Sequence, residues 1–138
     1  MTATNRRGLT IAAAAERTGL SPDTLRYYER IGLISPVPRT AAGHRVYQDE
    51  DIARVEFVLL LRATGMPVRE MRTYFRLLRD GDHTILRRRE MLAAQRHRLG
   101  EQERRLRATI DHLDRKIRVY DARLVAAAER PAPAPAPA

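Results

Sequence analysis

Cysteine is absent from the 138 residues, so disulfides, thiolate metal sites and thiol redox sensing are all excluded. Tryptophan is also missing and aromatic residues make up only 5% of the chain. That composition predicts a small helical core of aliphatic side chains, helped by a partner chain, rather than a large solitary globule. No apolar run approaches membrane-spanning length, and the opening Met1-Thr2-Ala3-Thr4-Asn5-Arg6-Arg7 has no hydrophobic stretch of the kind a secretory signal needs. A soluble cytoplasmic protein with no membrane partner is expected. Acids are scarce relative to bases, 17 against 26, and the formal net charge of +9 suits a polyanion such as nucleic acid or an anionic surface. The great majority of the cations are arginine, whose planar fork binds phosphate and guanine in bidentate fashion, although high-GC genomes enrich arginine too. Neither a phosphate loop nor a clustered Asp/Glu/His constellation stands out, so no enzyme and no cofactor are expected. The histidines His44, His83, His97 and His112 are scattered, and no metal site is expected among them.

What is present centres on Ser21-Pro22-Asp23-Thr24-Leu25-Arg26-Tyr27-Tyr28-Glu29-Arg30-Ile31-Gly32-Leu33-Ile34. Ser21 is a good N-cap, Pro22 fits the first helical position, Asp23 sits at the positive end of the dipole and Gly32 stops the helix. Leu25 and Ile31 can face a core. Thr24, Arg26, Tyr27, Tyr28 and Arg30 are then left for the outward surface, where such residues hydrogen-bond phosphates or base edges. Just upstream, Thr10 can cap a helix running from Ile11 to Arg17, and Gly19 stands where a left-handed turn residue is wanted. Ala15, Gly19 and Leu25 carry the packing in helix-turn-helix spacing, which an αα-corner without any nucleic-acid role would share.

Pro36 and Pro38 forbid a helix over Ile34 to Tyr47, and the second half of that segment alternates polar and apolar residues. A short β-hairpin, or wing, is expected, with its tip at Arg39 to Gly43 and phosphate-seeking Arg39, Thr40, His44 and Arg45 beside it. A solvated basic loop is the plainer alternative. A third helix is predicted from Asp49 to Thr64, with Ile52, Val55, Leu59 and Arg62 on successive turns. A fourth carries Val68, Met71, Phe75 and Leu78 and closes at Asp80-Gly81-Asp82. Both read as structural.

From His83 a seven-residue repeat takes over: Ile85, Leu92, Leu99, Leu106, Leu113 and Tyr120, joined later by Ile110, Ile117 and Leu124. This is a coiled-coil seam. Its companion positions Arg89, Arg96 and Glu103 are too polar for a tight parallel zipper, so antiparallel pairing, or cover from other helices, is expected. Gly100 lies inside the repeat at a cost of roughly 1 kcal/mol relative to alanine, and the pattern survives it. The final Pro-Ala tract reads as an extended polyproline-like tail.

Arg26-Tyr27-Tyr28-Glu29, Ile31-Gly32-Leu33-Ile34 and Gly43-His44-Arg45-Val46-Tyr47, set between a helix-turn-helix and a coiled-coil helix, resemble the MerR family of transcriptional regulators over about residues 9 to 120. The resemblance implies a mostly α fold: a winged helix-turn-helix head with a short β-hairpin wing, two further helices and a long helix that dimerises as an antiparallel coiled coil. The chain would then divide into a disordered basic arm (1–8), the DNA-binding domain (9–80), the dimerisation helix (82–129) and a disordered Pro-Ala tail (130–138). The function implied is sequence-specific binding, as a homodimer, to a palindromic operator in double-stranded promoter DNA. The dimer bends and untwists that DNA, with RNA polymerase as a further partner.

On that resemblance Arg26 contacts a base edge or phosphate, and Thr24 lies on the same DNA-facing helix. Tyr27 and Tyr28 clamp phosphates, Arg39, His44 and Arg45 act from the wing, and Arg62 contacts the backbone; Tyr47 packs. Ile85, Leu92, Leu99, Leu106 and Leu113 form the dimer seam, and Ile117, Tyr120 and Leu124 receive an effector or simply finish the packing after about residue 114. Members that sense metals, aldehydes or thiols use cysteines, which this sequence does not have. Members that sense drugs carry a sizeable C-terminal domain, for which the stretch after Leu113 is too short. The competing class is a coiled-coil interaction protein, or a nucleoid-type binder without an operator, and the cationic wing argues against it. If the seam holds the dimer, the double substitution Leu99→Asp with Leu106→Asp is expected to yield a monomer in sedimentation, whereas an unchanged folded dimer would exclude this interface.

Overall fold

The computed structural model describes residues 8–133 and 135–137. The basic arm expected over 1–8 therefore lies, except for Gly8, outside the described residues, as do Ala134 and Ala138 of the tail. The elements are α1 (Ile11–Thr18), α2 (Pro22–Arg30), α3 (Asp49–Ala63), α4 (Val68–Asp80), a 3₁₀ turn at Asp82–Thr84 and α5 (Ile85–Glu129). They fall into two units, Met1–Gln95 and Arg96–Ala138.

In the first unit the local chemistry sets each helix boundary. The Thr10 hydroxyl accepts from the Ala13 amide at 3.1 Å and Ser21 does the same for Thr24 at 3.1 Å, so both helices of the N-terminal pair start on a side-chain cap. Gly19, at φ 75°, closes α1 with its amide on the Ala15 carbonyl. Two later helices end in the same way. After α2, Leu33 donates to Tyr28 O at 2.9 Å and Gly32 to Glu29 O at 3.2 Å; after α3, Met66 donates to Leu61 O at 3.3 Å and Gly65 to Arg62 O at 3.0 Å. Each is a Schellman closure with glycine in the left-handed region (φ 83° and 85°) and a buried apolar residue directly after it. At the start of α3 the Gln48 amide donates to the Asp51 carboxylate at 2.8 Å. Burial nonetheless pushes that carboxyl above its ordinary range.

The core joins all four short helices through Ala14, Leu25, Tyr28, Ile52, Val55, Val58, Leu61, Met71 and Phe75, together with Leu33, Ile34, Val37 and Tyr47 from the connections. The rings of Phe57, Tyr74 and Phe75 gather where α3 meets α4, with Tyr74 and Phe75 edge to face at 5.1 Å. The register expected from sequence shifts in three places. Ala14, not Ala15, is fully buried in α1. On α3 the buried stripe continues through Val58 and Leu61, while Leu59 is only partly covered and Arg62 is exposed. On α4, Tyr74 and Leu77 join Met71 and Phe75, and Val68 lies in solvent. On α3 and α4 the buried face is broader than a single four-residue step traces.

Residues 34–47 form no strand among the described residues, and their pairing consists of isolated antiparallel bridges, Leu9 with Tyr47 and Arg39 with Arg45. Thr40 and His44 are joined at 2.8 Å, Gly43 closes the tip on Thr40 O at 2.9 Å, and Val46 donates to Pro38 O at 2.8 Å. Pro36 and Pro38 have no N–H to give, so a hairpin-like turn forms without a continuous ladder. Leu9 exchanges both backbone bonds with Tyr47 at 2.8 Å and ties the segment just before α1 to the end of this turn.

The α4–α5 junction is held by Thr84, whose buried hydroxyl reaches the carbonyls of Leu77 and Gly81 at 2.7 and 2.8 Å and accepts from Arg88 at 2.9 Å. Gln95 then fixes the first part of α5 to the end of α3, donating to Thr64 O at 3.0 Å and Thr64 Oγ1 at 2.9 Å. Met91 and Leu92 pack on the head's own core, so Leu92 spends part of its surface within the first unit. Ile85 is exposed. In the second unit α5 runs through Gly100 unbroken, and Leu99, Leu106, Ile110, Leu113, Ile117, Tyr120 and Leu124 are all exposed on the single chain. Lys116 and Arg123 lie over the Tyr120 ring at 5.1 and 5.8 Å.

Candidate nucleic-acid interface

Helix α2 presents Arg26, Tyr27 and Arg30 to solvent, with the Arg30 guanidinium 5.3 Å from the centre of the Tyr27 ring. Arg26 is held by Asp23 at 2.9 Å in a pair whose two side chains are 45% and 94% exposed. A contact that open contributes little and is readily exchanged for another anion. Thr24 is half-buried at the helix start, its hydroxyl 2.9 Å from that of Ser21.

Tyr28 is not on this face. It was expected beside Tyr27 but is only 5% exposed, because it lies three residues from Leu25 and so shares the core side of the helix. Its hydroxyl accepts from Arg62 Nη1 at 3.1 Å. The Tyr28 hydroxyl thus meets an arginine of α3.

The turn and α2 are joined by one carboxylate. Glu29 Oε1 accepts from Arg45 Nε at 2.7 Å and Glu29 Oε2 accepts from the Val37 amide at 3.2 Å, with the Arg45 and Glu29 side chains 19% and 14% exposed. Arg45, expected to flank the tip as a ligand contact, therefore commits its Nε to Glu29. In the sequence Glu29 stands only within the Arg-Tyr-Tyr-Glu motif, and nothing local marks it as the tie between α2 and the turn. Arg39 lies at the tip and donates to Gly43 O at 3.1 Å, and His44 is exposed next to it. Thr10, Ile11, Arg26, Gly43, His44 and Arg45 line a cleft of about 190 Å³, which brings the start of α1 to the site, a neighbour that the sequence did not indicate. Arg62 does not line this cleft and is tied to α2 through the Tyr28 hydroxyl.

Beneath it Tyr47 is 1% exposed, as packing required, and its hydroxyl has no hydrogen-bond partner among the described residues. Burial pushes that hydroxyl above its usual range, against an opposing pull from the Arg45 charge, so the ring stays neutral. At the far end of α2, Arg72 Nε donates to Ile31 O at 2.9 Å and Arg79 Nη1 to Gly32 O at 2.9 Å. Two cations from α4 thus satisfy carbonyls at the negative end of the helix dipole. Among the described residues no three His, Asp or Glu side chains converge as metal ligands.

Residues 10–47 match the model of the MerR family regulatory protein and residues 52–116 that of MerR, DNA binding. The chain belongs to the MerR family. Among MerR relatives, the HTH-type transcriptional regulator AdhR of Bacillus subtilis is 43% identical over 93 residues, 67% of this chain and 66% of the relative, so the match spans just under two thirds of that protein. The regulator HmrR of Sinorhizobium medicae is 33% identical over 75% of this chain and 68% of its own. A MerR-family structure from Listeria monocytogenes superposes with a TM-score of 0.81 at 40% identity, covering 88% and 92% of the two chains. HiNmlR, described as a MerR family regulator lacking the sensor domain and bound to promoter DNA, superposes at 0.75 with 30% identity over 83% and 91%.

The geometry of this MerR head makes Glu29 the link between α2 and the turn. Glu29→Ala removes both of its bonds and leaves Arg45 half-buried without its partner, so a loss of about 1 to 3 kcal/mol in unfolding free energy is expected, with faster hydrogen exchange at the Val37 amide. Glu29→Gln keeps an acceptor for Val37 and is expected to lose less. An unchanged exchange rate at Val37 in Glu29→Ala would show that the carboxylate does not hold the turn.

Proposed function

We propose that this MerR-family chain is a promoter-binding transcriptional regulator that acts in the cytoplasm as a homodimer on a palindromic operator, bending and untwisting the DNA for RNA polymerase. The observation that carries this reading is the exposed Arg26, Tyr27 and Arg30 face of α2, fastened through Glu29 to a turn bearing Arg39 and His44. That is a cationic, hydrogen-bonding surface on two linked elements, as a groove-reading helix with a flanking phosphate contact requires. HiNmlR, which superposes on this chain, is described as bound to promoter DNA.

In this reading Arg26 leaves Asp23 to take a base edge or phosphate, with Thr24 at the same end of α2, and Tyr27 and Arg30 hold the backbone. The turn acts as the wing through Arg39 and His44, and Arg45 contributes whatever Glu29 leaves available on its guanidinium. Tyr28 acts indirectly by aiming Arg62. The exposed apolar line from Leu99 to Leu113 takes the second chain, and Ile117, Tyr120 and Leu124 extend that interface. Bending a duplex costs of order 1 to 6 kcal/mol, which the phosphate contacts of two heads must offset.

Selection from a pool of randomised duplexes is expected to enrich a palindromic site, and no enrichment, or a lone asymmetric element, would contradict the reading. On the selected duplex Arg26→Ala is expected to lose about 1 to 3 kcal/mol and distinctly less on random DNA, while Tyr27→Phe weakens both alike. Equal losses for Arg26→Ala on the two duplexes would make it a positioning contact alone.

A further inference from the structure

Between Ser35, Pro36 and Pro38 of the turn and Glu50, Asp51 and Arg54 of α3 lies a cleft of about 240 Å³. Glu50 stands four residues before Arg54 and Asp51 three, spacings at which an acid ahead of a base on a helix ordinarily pairs with it. Here neither pair forms, and no hydrogen bond or ion pair joins Arg54 to either carboxylate among the described residues. The guanidinium carbon lies instead 5.7 Å from the centre of the Phe75 ring, and Nη1 is buried with no acceptor among those residues. Glu50 is exposed, and Asp51 is half-buried with its carboxylate accepting from the Gln48 amide at 2.8 Å. Burial raises the Asp51 carboxyl above its ordinary range, and the opposing pulls of that amide and of Arg54 do not cancel it. Opposite charges thus line one open space without meeting across it.

A guanidinium without a counter-charge calls for a carboxylate, and two carboxylates call for an ammonium. One ligand that carries both groups satisfies the cleft, whereas a simple anion would leave the two acids facing it. The rings of Pro36 and Pro38 add apolar wall, and the volume is below the roughly 300 Å³ at which sites for drug-sized molecules begin. We infer that this cleft is a binding site for a small zwitterion, an α-amino acid with an apolar side chain about the size of leucine's. Its carboxylate lies toward Arg54, its ammonium toward Glu50 and Asp51, and its side chain on the two prolines. The site is built on the stem of the turn, where Val37, between those prolines, donates to Glu29 and Pro38 O accepts from Val46. A ligand held between this stem and α3 stiffens the segment that carries Arg39 and His44. By linkage, whatever selects the stiffened turn tightens the ligand in return. The binding step itself does not depend on DNA.

The test follows the amide resonances of the full chain as L-leucine is added, beside isocaproate, which is leucine without its ammonium, and isoamylamine, which is leucine without its carboxylate. Leucine at millimolar concentration is expected to shift the amides of Ser35, Glu50, Asp51 and Arg54 along one saturable curve and to slow hydrogen exchange at the Val37 amide. Each half-molecule is expected to bind roughly tenfold more weakly, as the loss of a charge-assisted contact implies. Glu50→Gln, at an exposed position that leaves the fold alone, is expected to weaken leucine severalfold, and Arg54→Lys to retain more binding than Arg54→Gln. Leucine that moves none of these amides overturns the inference. So does isocaproate that binds as tightly as leucine, or a Glu50→Gln variant that keeps the wild-type affinity. The operator reading is untouched by any of these outcomes, since it stands or falls on the palindrome selected by the wild-type chain.

Discussion

A single carboxylate, Glu29, sits where the helix bearing the exposed cations meets the turn that carries the others. Its two oxygens take the Arg45 side chain and the Val37 amide. The segment it holds cannot hold itself: two prolines remove donors, and only isolated bridges pair its sides. Without Glu29 the turn would hang from Leu9, Tyr47 and its own tip. With it, Arg39 and His44 take up a fixed place relative to Arg26, and two short elements become one surface.

A similar economy recurs in the arginines. Several of those that the sequence offers as ligand contacts are also structural ties: Arg45 to Glu29, Arg62 to the Tyr28 hydroxyl, Arg39 to Gly43. Arg72 and Arg79 end α2. A guanidinium has five N–H donors, so spending one or two on the protein orients the remainder without neutralising the charge. Preorganisation of this kind lowers the entropy lost when a ligand is bound.

The helices, their caps and the stops at Gly19 and Gly32 were legible in the sequence because each is a local effect, a hydroxyl three residues before an amide or a glycine at positive φ. The burial of Tyr28 and the Glu29 tie of Arg45 were not legible because they are set by residues distant in sequence, Arg62 lying 34 positions from Tyr28 and Glu29 16 from Arg45. The α3 register was misjudged because several neighbours share that helix. The seven-residue repeat was plain in sequence, yet Leu92 turned out to serve its own head in part.

Backbone amide resonances of the chain, followed by NMR as a duplex carrying the selected operator is added, address most directly whether α2 and the turn form one DNA-binding surface. The account predicts that amides over residues 24–30 and 39–45 shift together along one titration curve, while those of the buried stripe of α3 stay in place. Shifts confined to residues beyond 96, or shifts in α2 with the turn unmoved, would contradict it.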